Sequence, residues 1–209
     1  MRLLRFLFWG YIVVIVLLSL YSFTQIDLSL TLSRLSAWQV IEKFFQYIGY
    51  FQRPLSTVLY VSLLLLLVGF YTVFVRLAGQ KKLSFSFTWK LILIVGVILF
   101  FSYNAFSYDF FNYIFDAKIF THYHLNPYLY KALDFPGDPM LSFMHWTHRT
   151  YPYGPVWLLA TFPLSFLGFQ YFLPTFFLFK ALVVGSFLGT VYFLDKTLQK
   201  IFPSERILG

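Results

Sequence analysis

Long apolar runs limit the fold of this chain more than any other feature. The first covers residues 6–23, which as a helix would be about 27 Å long at about 1.5 Å per residue. Two more cover residues 54–75 and 89–106, and runs of this length are typical of helices that cross a bilayer. Charged residues make up only 11% of the chain, against about 25% in soluble domains. We therefore predict an all-α, polytopic integral membrane protein.

Basic residues at the ends of these runs predict how the chain is oriented. Arg2 and Arg5 precede the first run, and no small-residue cleavage site follows it, which indicates an uncleaved span with the N-terminus in the cytoplasm. The loop after the second run carries the densest group of basic residues: Arg76, Lys81, Lys82 and Lys90. Cytoplasmic loops are enriched in such residues, so the third run ends outside and residues 107–155 form an external loop.

Two more apolar runs, 156–167 and 169–194, follow this loop, and the first of them is short for a full span. With them we expect about five apolar helices in one membrane domain, residues 1–209, which ends in a short tail, residues 195–209. Two crossings are favoured, because a tilted second run compensates for a short first one, but they place this basic tail outside, against the charge rule. A re-entrant hairpin would leave it inside. An amphipathic stretch at residues 33–50 predicts a further helix in the interface plane.

The distribution of charge directs attention to the external loop. The net charge of +8 comes from basic residues scattered beside the apolar runs, where they orient the spans and form no nucleic-acid surface. Residues 107–153, in contrast, contain four aspartates against three basic residues, and all four histidines of the chain. The chain has no cysteine, which excludes disulfides and thiol chemistry. The candidate chemistry therefore lies in this loop.

The segment SYDFFNYIFDAKIF, residues 107–120, places two aspartates directly after the third apolar run. On a helix, Asp109, Asn112, Tyr113 and Asp116 share one side, and aromatic residues fill the rest. Paired carboxylates at a membrane boundary suit general acid–base catalysis, because an apolar environment raises the pKa of one and the neighbouring charge separates the two further. The alternative is that both acids only cap the helix and form ion pairs with nearby cations.

Two turn motifs follow in the same loop. HLNPY contains Asn126 and Tyr128, and YPYGP contains Tyr151 and Tyr153 immediately before the next apolar run. Proline restricts the backbone of both turns, and YPYGP forms a rigid entry into the next helix. In the first turn, the rings and hydroxyls of Tyr128 and Tyr130 suit a sugar face, although this motif is equally typical of an ordinary loop. Arg149 could hold a phosphate with two parallel hydrogen bonds, or only extend its charge to the membrane surface.

A metal site is the other chemistry that this loop could carry. Imidazole nitrogens are zinc ligands, and the four histidines are His122, His124, His145 and His148. Asp134 and Asp138, in DFPGDP, offer the oxygen ligands that divalent cations prefer. Loop histidines more often form hydrogen bonds, and acids in a proline-glycine turn are usually solvated. We therefore predict no metal and no cofactor, with a divalent metal left open.

Taken in order, these pieces resemble a known family. A membrane span, an aspartate-bearing external helix, NPY and a YPYGP entry to the next span are similar to the GT-C superfamily of integral-membrane glycosyltransferases, and in particular to its branch that uses polyprenyl-phosphate-mannose. The resemblance covers about residues 104–167. It implies a GT-C-like N-terminal part in the plasma membrane and an active loop on the outer face. It also implies inverting transfer of a sugar, mannose, from the lipid-phosphate donor to a hydroxyl of a glycan, glycolipid or protein.

The resemblance also implies roles for individual residues. Asp109 would be the general base, with Asp116 in a supporting catalytic role that orients or binds substrate. Arg149 would stabilise the departing phosphate, with Lys118 as the second candidate, and His145 and His148 would form hydrogen bonds with the phosphate or the acceptor. The residues expected to shape the sugar site are Asn126, Tyr128, Tyr151 and Tyr153.

Two departures from the family pattern and two other functions qualify this hypothesis. Here the loop follows the third apolar helix rather than the first, and about five spans stand where eight or more are usual, so we expect a fragment, a truncated product or half of a two-chain enzyme. The alternatives are a non-catalytic membrane subunit or transport component, and a metal-dependent hydrolase that uses the four histidines. The transferase hypothesis requires Asp109 and Arg149 in one cavity.

Overall fold

A computed structural model describes residues 2–104 and 107–201, and every regular element in these ranges is helical. The main helices are α1 (Arg2–Ser22), α2 (Ser36–Gln46), α3 (Arg53–Gly79), α4 (Phe85–Phe100), α5 (Asp109–Thr121), α6 (Pro155–Leu167) and α7 (Phe172–Ile201). The predicted all-α fold is confirmed. The predicted end of the third apolar run at residue 106 and the tail beyond residue 201, with Arg206, lie outside the described residues.

Five of these helices are apolar, but they differ in length. The helical stretch Arg2–Gln25, α3 and α7 are long and apolar enough to cross a membrane. The other two, α4 and α6, have 16 and 13 residues. At about 1.5 Å per residue these shorter helices fall below the hydrocarbon thickness of about 30 Å. The number of apolar helices agrees with the sequence, whereas the length of α6 keeps open whether it crosses.

The chain divides into two compact units. The first contains α1, α3, α4 and the part of α7 from Val184 onward. In it α1 packs against α3 and α4, and Tyr21 and Ser56 share a hydroxyl–hydroxyl hydrogen bond of 2.9 Å. Ser22 Oγ accepts a hydrogen bond of 2.8 Å from the backbone N–H of Tyr103, so polar side chains at the ends of the helices join them.

The second unit contains α2, α5, α6 and α7 up to Val183. Its centre is α5, whose Phe111, Ile114 and Phe115 are at most 2% exposed. Helix α6 lies along α5, where Phe120 stacks on Phe162 with 4.1 Å between ring centroids. Burial of these aromatic side chains fixes the rotation of α5 about its axis, and therefore the direction in which its polar side points.

Helix α2 places its polar side toward the protein and its apolar side outward. Glu42 is buried and accepts hydrogen bonds from Leu32 N–H (3.1 Å) and from Trp38 Nε1–H (2.7 Å). Val40 and Phe44, in contrast, are 70% and 60% exposed. The predicted helix in residues 33–50 is confirmed as Ser36–Gln46 followed by a π-helical turn, Tyr47–Phe51. Outward apolar side chains are typical of a helix that lies in an interface, and that location stays a prediction.

Candidate active site at the start of α5

The polar side of α5 faces a small cleft in the second unit. The cleft is small, with room for about one water molecule, and is lined by Asp109, Asn112, Asp116, Arg149, Thr150, Pro152 and Tyr153. The first three come from successive turns of α5, as the helical period requires. The other four come from the chain just before α6. The cleft therefore joins the aspartate helix to the segment that contains Arg149 and the YPYGP motif.

Asp109 and Arg149 face each other across this cleft. Asp109 Oδ1 lies 3.7 Å from Arg149 Nη2, and the two side chains are 35% and 45% exposed. The guanidinium also lies over the ring of Trp146, 4.7 Å from its centroid. A half-exposed ion pair contributes only about 0–1 kcal/mol to stability. The pair is therefore weak enough to open when a charged ligand enters the cleft.

Asp116 lies deeper and in a different environment. It is only 6% exposed, and no hydrogen-bond partner for its carboxyl group is found in residues 2–104 and 107–201. Burial raises the pKa of Asp116 to about 7, while the positive charge of Arg149 acts in the opposite direction. The two acids of the cleft thus lie in different environments, because Asp109 is accessible beside a cation and Asp116 is buried. A difference of this kind gives the two members of a carboxylate pair different roles.

We expect Asp116 to make the stability of the protein depend on pH. Its folded-state pKa is raised from 3.8 to about 7, so between these values the folded protein holds a proton that the unfolded chain has lost. The free energy of unfolding then falls as pH rises through this window, by up to about 1.4 kcal/mol per pH unit. Asp116→Asn removes this dependence. In thermal unfolding of purified protein in detergent, the variant should unfold at a higher temperature than the wild type, and the difference should be clearly larger at pH 8 than at pH 5. Parallel pH profiles for the two proteins would contradict this.

Asn112 connects α5 to the segment that carries Arg149. Its Nδ2 donates a hydrogen bond of 2.9 Å to the backbone carbonyl of Trp146. Its Oδ1 is buried and has no partner among the described residues, so one strong acceptor beside the cleft is left for a ligand or a water molecule. Trp146 was not predicted from the sequence. The only feature of the sequence that could have pointed to Trp146 is its position three residues before Arg149, in a loop rich in aromatic residues.

The two turn motifs meet in space. Asn126 Oδ1 accepts a hydrogen bond from Tyr128 N–H (2.9 Å), and the Tyr128 hydroxyl donates to the carbonyl of Tyr153 (3.1 Å). The Tyr151 hydroxyl donates to the carbonyl of Gly154 (3.2 Å), and burial raises its pKa to about 12. Tyr153 lines the cleft and packs edge-on against Tyr113 of α5, with 4.9 Å between ring centroids. Of the predicted sugar-site residues, Tyr153 therefore lines the cleft. Asn126, Tyr128 and Tyr151 do not line it, but form the hydrogen bonds that hold the two turns in place.

Lys118, the second candidate for phosphate binding, lies in another cluster. Its ammonium group forms an ion pair with Asp138, which also accepts hydrogen bonds from the Tyr123 hydroxyl (2.7 Å) and from Met140 N–H (2.9 Å). Burial would raise the pKa of Asp138, but these hydrogen bonds, with that from Lys118 foremost, lower it. The side chains of Lys118 and Asp138 are only 11% and 1% exposed.

We expect Lys118→Met to destabilise the fold by about 3 kcal/mol, because it leaves the buried Asp138 carboxylate without its cation. Thermal unfolding in detergent measures the loss, and Lys118→Met/Asp138→Asn should recover most of it. Lys43→Met, at an exposed position of α2, is the matched control and should change the unfolding temperature little. Full stability of Lys118→Met would contradict a structural role for the pair.

The histidines lie apart from one another. His145 stacks on Tyr108, with 3.6 Å between ring centroids, and its Nε2 lies 3.8 Å from Asp27 Oδ2. His148 packs near Trp146, with 6.4 Å between centroids. No group of three or more His, Asp or Glu side chains that could hold a metal ion occurs within the described ranges. The hypothesis of a hydrolase with a four-histidine metal site therefore gains no support from the geometry.

Comparison with known proteins adds one finding. The family described as "Alpha-(1->6)-mannopyranosyltransferase, N-terminal domain" matches residues 13–202. The match covers α2 to α7 in full and the C-terminal part of α1, together with every residue that lines the cleft. No curated protein and no solved structure matches the chain.

Proposed function

Because the chain belongs to the alpha-(1->6)-mannopyranosyltransferase family, of which it matches the N-terminal domain, we propose that it transfers mannose from a polyprenyl-phosphate donor to an acceptor hydroxyl. The transfer is inverting and takes place on the outer face of the plasma membrane. The acceptor is a glycan, glycolipid or protein that presents a free sugar or side-chain hydroxyl.

One observation carries the proposal: Asp109 and Arg149 face each other across one cleft, 3.7 Å apart, with Asp116 on the same wall. A transferase that releases a phosphate needs a base for the incoming hydroxyl and a cation for the departing anion. Both groups must stand within the width of a sugar of each other. The cleft supplies this pair on the polar side of a helix whose other side is packed.

The proposed step is a single displacement. Asp109 accepts the proton of the acceptor hydroxyl, whose oxygen forms a bond with the anomeric carbon of the donor from the face opposite the phosphate. The bond between the anomeric carbon and the phosphate oxygen breaks at the same time, and the electron pair leaves with the polyprenyl phosphate. Arg149 then turns from Asp109 to the departing phosphate, where a charge-assisted hydrogen bond stabilises the developing negative charge.

The remaining polar groups of the cleft orient the two sugars. Asp116 and the free Oδ1 of Asn112 accept hydrogen bonds from hydroxyls of the acceptor, which places the reacting oxygen beside Asp109. The ring and hydroxyl of Tyr153 form the side of the sugar site, held in place by the hydrogen bond from Tyr128 to the Tyr153 carbonyl. No metal takes part in this proposal, since Arg149 provides the positive charge.

A transfer assay tests the proposal directly. The full-length protein in membranes is supplied with radiolabelled polyprenyl-phosphate-mannose and with a panel of acceptors: mannooligosaccharides, a mannosylated lipid and a serine-containing peptide. We expect label to move to one acceptor class with inversion at the anomeric carbon, and to do so in the presence of EDTA. Stable, membrane-inserted protein that moves no label to any of them would overturn the proposal in favour of a non-catalytic subunit.

A further inference from the structure

An aspartate outside the cleft is connected to it through two aromatic rings. Asp27 lies in the segment between α1 and α2, and its Oδ2 is 3.8 Å from His145 Nε2. The imidazole of His145 stacks on the ring of Tyr108, nearly parallel at 11°. Tyr108 is the residue immediately before Asp109, and its carbonyl accepts a hydrogen bond of 3.1 Å from Phe111 N–H in the first turn of α5. A chain of neighbouring groups therefore runs from Asp27 to the start of the helix that carries Asp109, and its first step is the 3.8 Å approach of Asp27 to His145, which is an ion-pair distance rather than a hydrogen bond.

Asp27 is itself firmly held. Its Oδ1 accepts a hydrogen bond of 2.9 Å from Ser29 N–H, and the Ser29 hydroxyl lies 2.6 Å from the same oxygen. That hydroxyl is also 2.5 Å from the carbonyl of Ser142, so its single hydrogen serves either acceptor. The backbone carbonyl of Asp27 accepts a hydrogen bond of 2.9 Å from Gln46 Nε2 at the end of α2. These contacts leave Oδ2 as the oxygen that faces His145.

The segment that His145 belongs to carries the other half of the cleft. The carbonyl of Trp146 accepts the hydrogen bond from Asn112, and the ring of Trp146 lies under the guanidinium of Arg149. A shift of His145 would therefore move Tyr108 on one side and the support of Arg149 on the other. Both shifts change the separation of Asp109 and Arg149, which is the separation on which the proposed transfer depends.

We infer that Asp27 is a positioning residue for the transfer: through His145 it holds Tyr108 and the segment of Trp146, and so sets the distance between Asp109 and Arg149. It touches neither substrate in this proposal. The inference rests on the proposed function for its catalytic consequence, but the contacts that carry it belong to the fold alone. A displacement of about 1 Å in such a site can lower a rate by about a hundredfold. Even a smaller displacement of Asp109 relative to Arg149 should therefore lower kcat measurably.

The test is a double-mutant cycle in the full-length protein. Asp27→Ala and His145→Ala should each lower kcat about tenfold with the KM for the donor little changed, since the ligand contacts remain. Asp27→Ala/His145→Ala should be no slower than the slower single variant, because both remove the same connection. Effects that multiply in the double variant, or an Asp27→Ala enzyme as fast as the wild type, would overturn the inference.

Glu42→Ala is the matched control. Like Asp27, Glu42 accepts two hydrogen bonds from its own segment, from Leu32 N–H and Trp38 Nε1–H, but no contact with His145 is found in the part of the chain that the structure describes. If loosening of this segment alone caused the loss, Glu42→Ala would reproduce it. We expect kcat of this variant within about twofold of the wild type, and a tenfold loss would overturn the inference.

Hydrogen–deuterium exchange separates this inference from the proposed function. Asp27→Ala should speed amide exchange in residues 107–113, at the start of α5, and Glu42→Ala should leave it unchanged. If the wild type transfers no mannose but this exchange pattern is found, the proposed function fails and the positioning contact stands. If the wild type is active and Asp27→Ala changes neither exchange nor kcat, the inference alone fails.

Discussion

Replacing Asp109 by asparagine is expected to abolish mannosyl transfer, with a loss of at least about a thousandfold in kcat. The amide cannot accept the hydroxyl proton, and general base catalysis by a positioned side chain typically contributes about 10²–10⁴-fold. The fold should be retained, because the Asp109–Arg149 pair is half-exposed and worth at most about 1 kcal/mol. Transfer from labelled polyprenyl-phosphate-mannose in membranes measures the rate, and thermal unfolding measures the fold.

Asp134→Asn is the matched control for this variant. Asp134 lies in the segment between α5 and α6 and is exposed, and its Oδ2 accepts a hydrogen bond of 2.9 Å from Lys131 N–H outside the cleft. Its rate should stay within about twofold of the wild type. The transfer rate of Asp116→Asn should lie between those of Asp109→Asn and Asp134→Asn, because the proposed role of Asp116 is to orient the acceptor. An Asp109→Asn enzyme that retains turnover would remove Asp109 as the base and leave Asp116 as the remaining carboxylate of the cleft.

The helix that carries both acids could be predicted from the sequence because its signal is local. The offsets between Asp109, Asn112 and Asp116 match the helical period, and the aromatic residues between them are found in the core of the second unit. The family match confirms the resemblance that the ordered motifs suggested, at the level of a membrane mannosyltransferase. The donor, the inverting course and the base are not tested by that match and stay proposals.

What the sequence could not supply are the pairings between distant segments. Lys118 pairs with Asp138, twenty residues away, rather than with the cleft. Asp27, which precedes α2, faces His145, which follows α5. Periodicity reports which side of a helix a residue occupies, but not which loop folds over it. The path of residues 122–154 depends on turns and short 3-10 helices, and on a few long-range contacts such as the hydrogen bond of 2.9 Å from Tyr151 N–H to the carbonyl of Pro127. From the sequence, Arg149 could therefore be an ion-pair partner of either aspartate, a phosphate ligand, or a charge that only extends to the membrane surface.

The two acids of the cleft illustrate how structure divides chemically identical residues. Asp109 lies at the first position of α5, beside a cation and partly in solvent, whereas Asp116 is two turns deeper and raised in pKa by burial. An accessible carboxylate beside a cation suits the base, and a buried one whose pKa lies near neutral pH suits a hydrogen-bonding role that tolerates either protonation state. The burial of Asp116 costs stability at neutral pH, which is typical of groups kept for function.

Arg149→Ala is expected to lower kcat/KM by about a hundredfold or more, because the developing charge on the departing phosphate loses the cation that stabilises it. Arg149→Lys should recover only part of the rate, since an ammonium group cannot make the two parallel hydrogen bonds of a guanidinium. Arg34→Ala, at an exposed arginine before α2, is the matched control and should remain near the wild type.

The decisive measurement for Arg149 is chemical rescue. Free guanidinium added to Arg149→Ala should restore part of the rate in a saturable way, because the cleft that the side chain vacates lies beside Asp109 and is bordered by the Trp146 ring that supported the original guanidinium. The same salt should leave Asp109→Asn inactive, since a cation cannot replace the base. If Arg149→Ala kept nearly full kcat/KM, the pair with Asp109 would be only an ion pair at the membrane surface, and the charge that stabilises the phosphate would have to come from another residue.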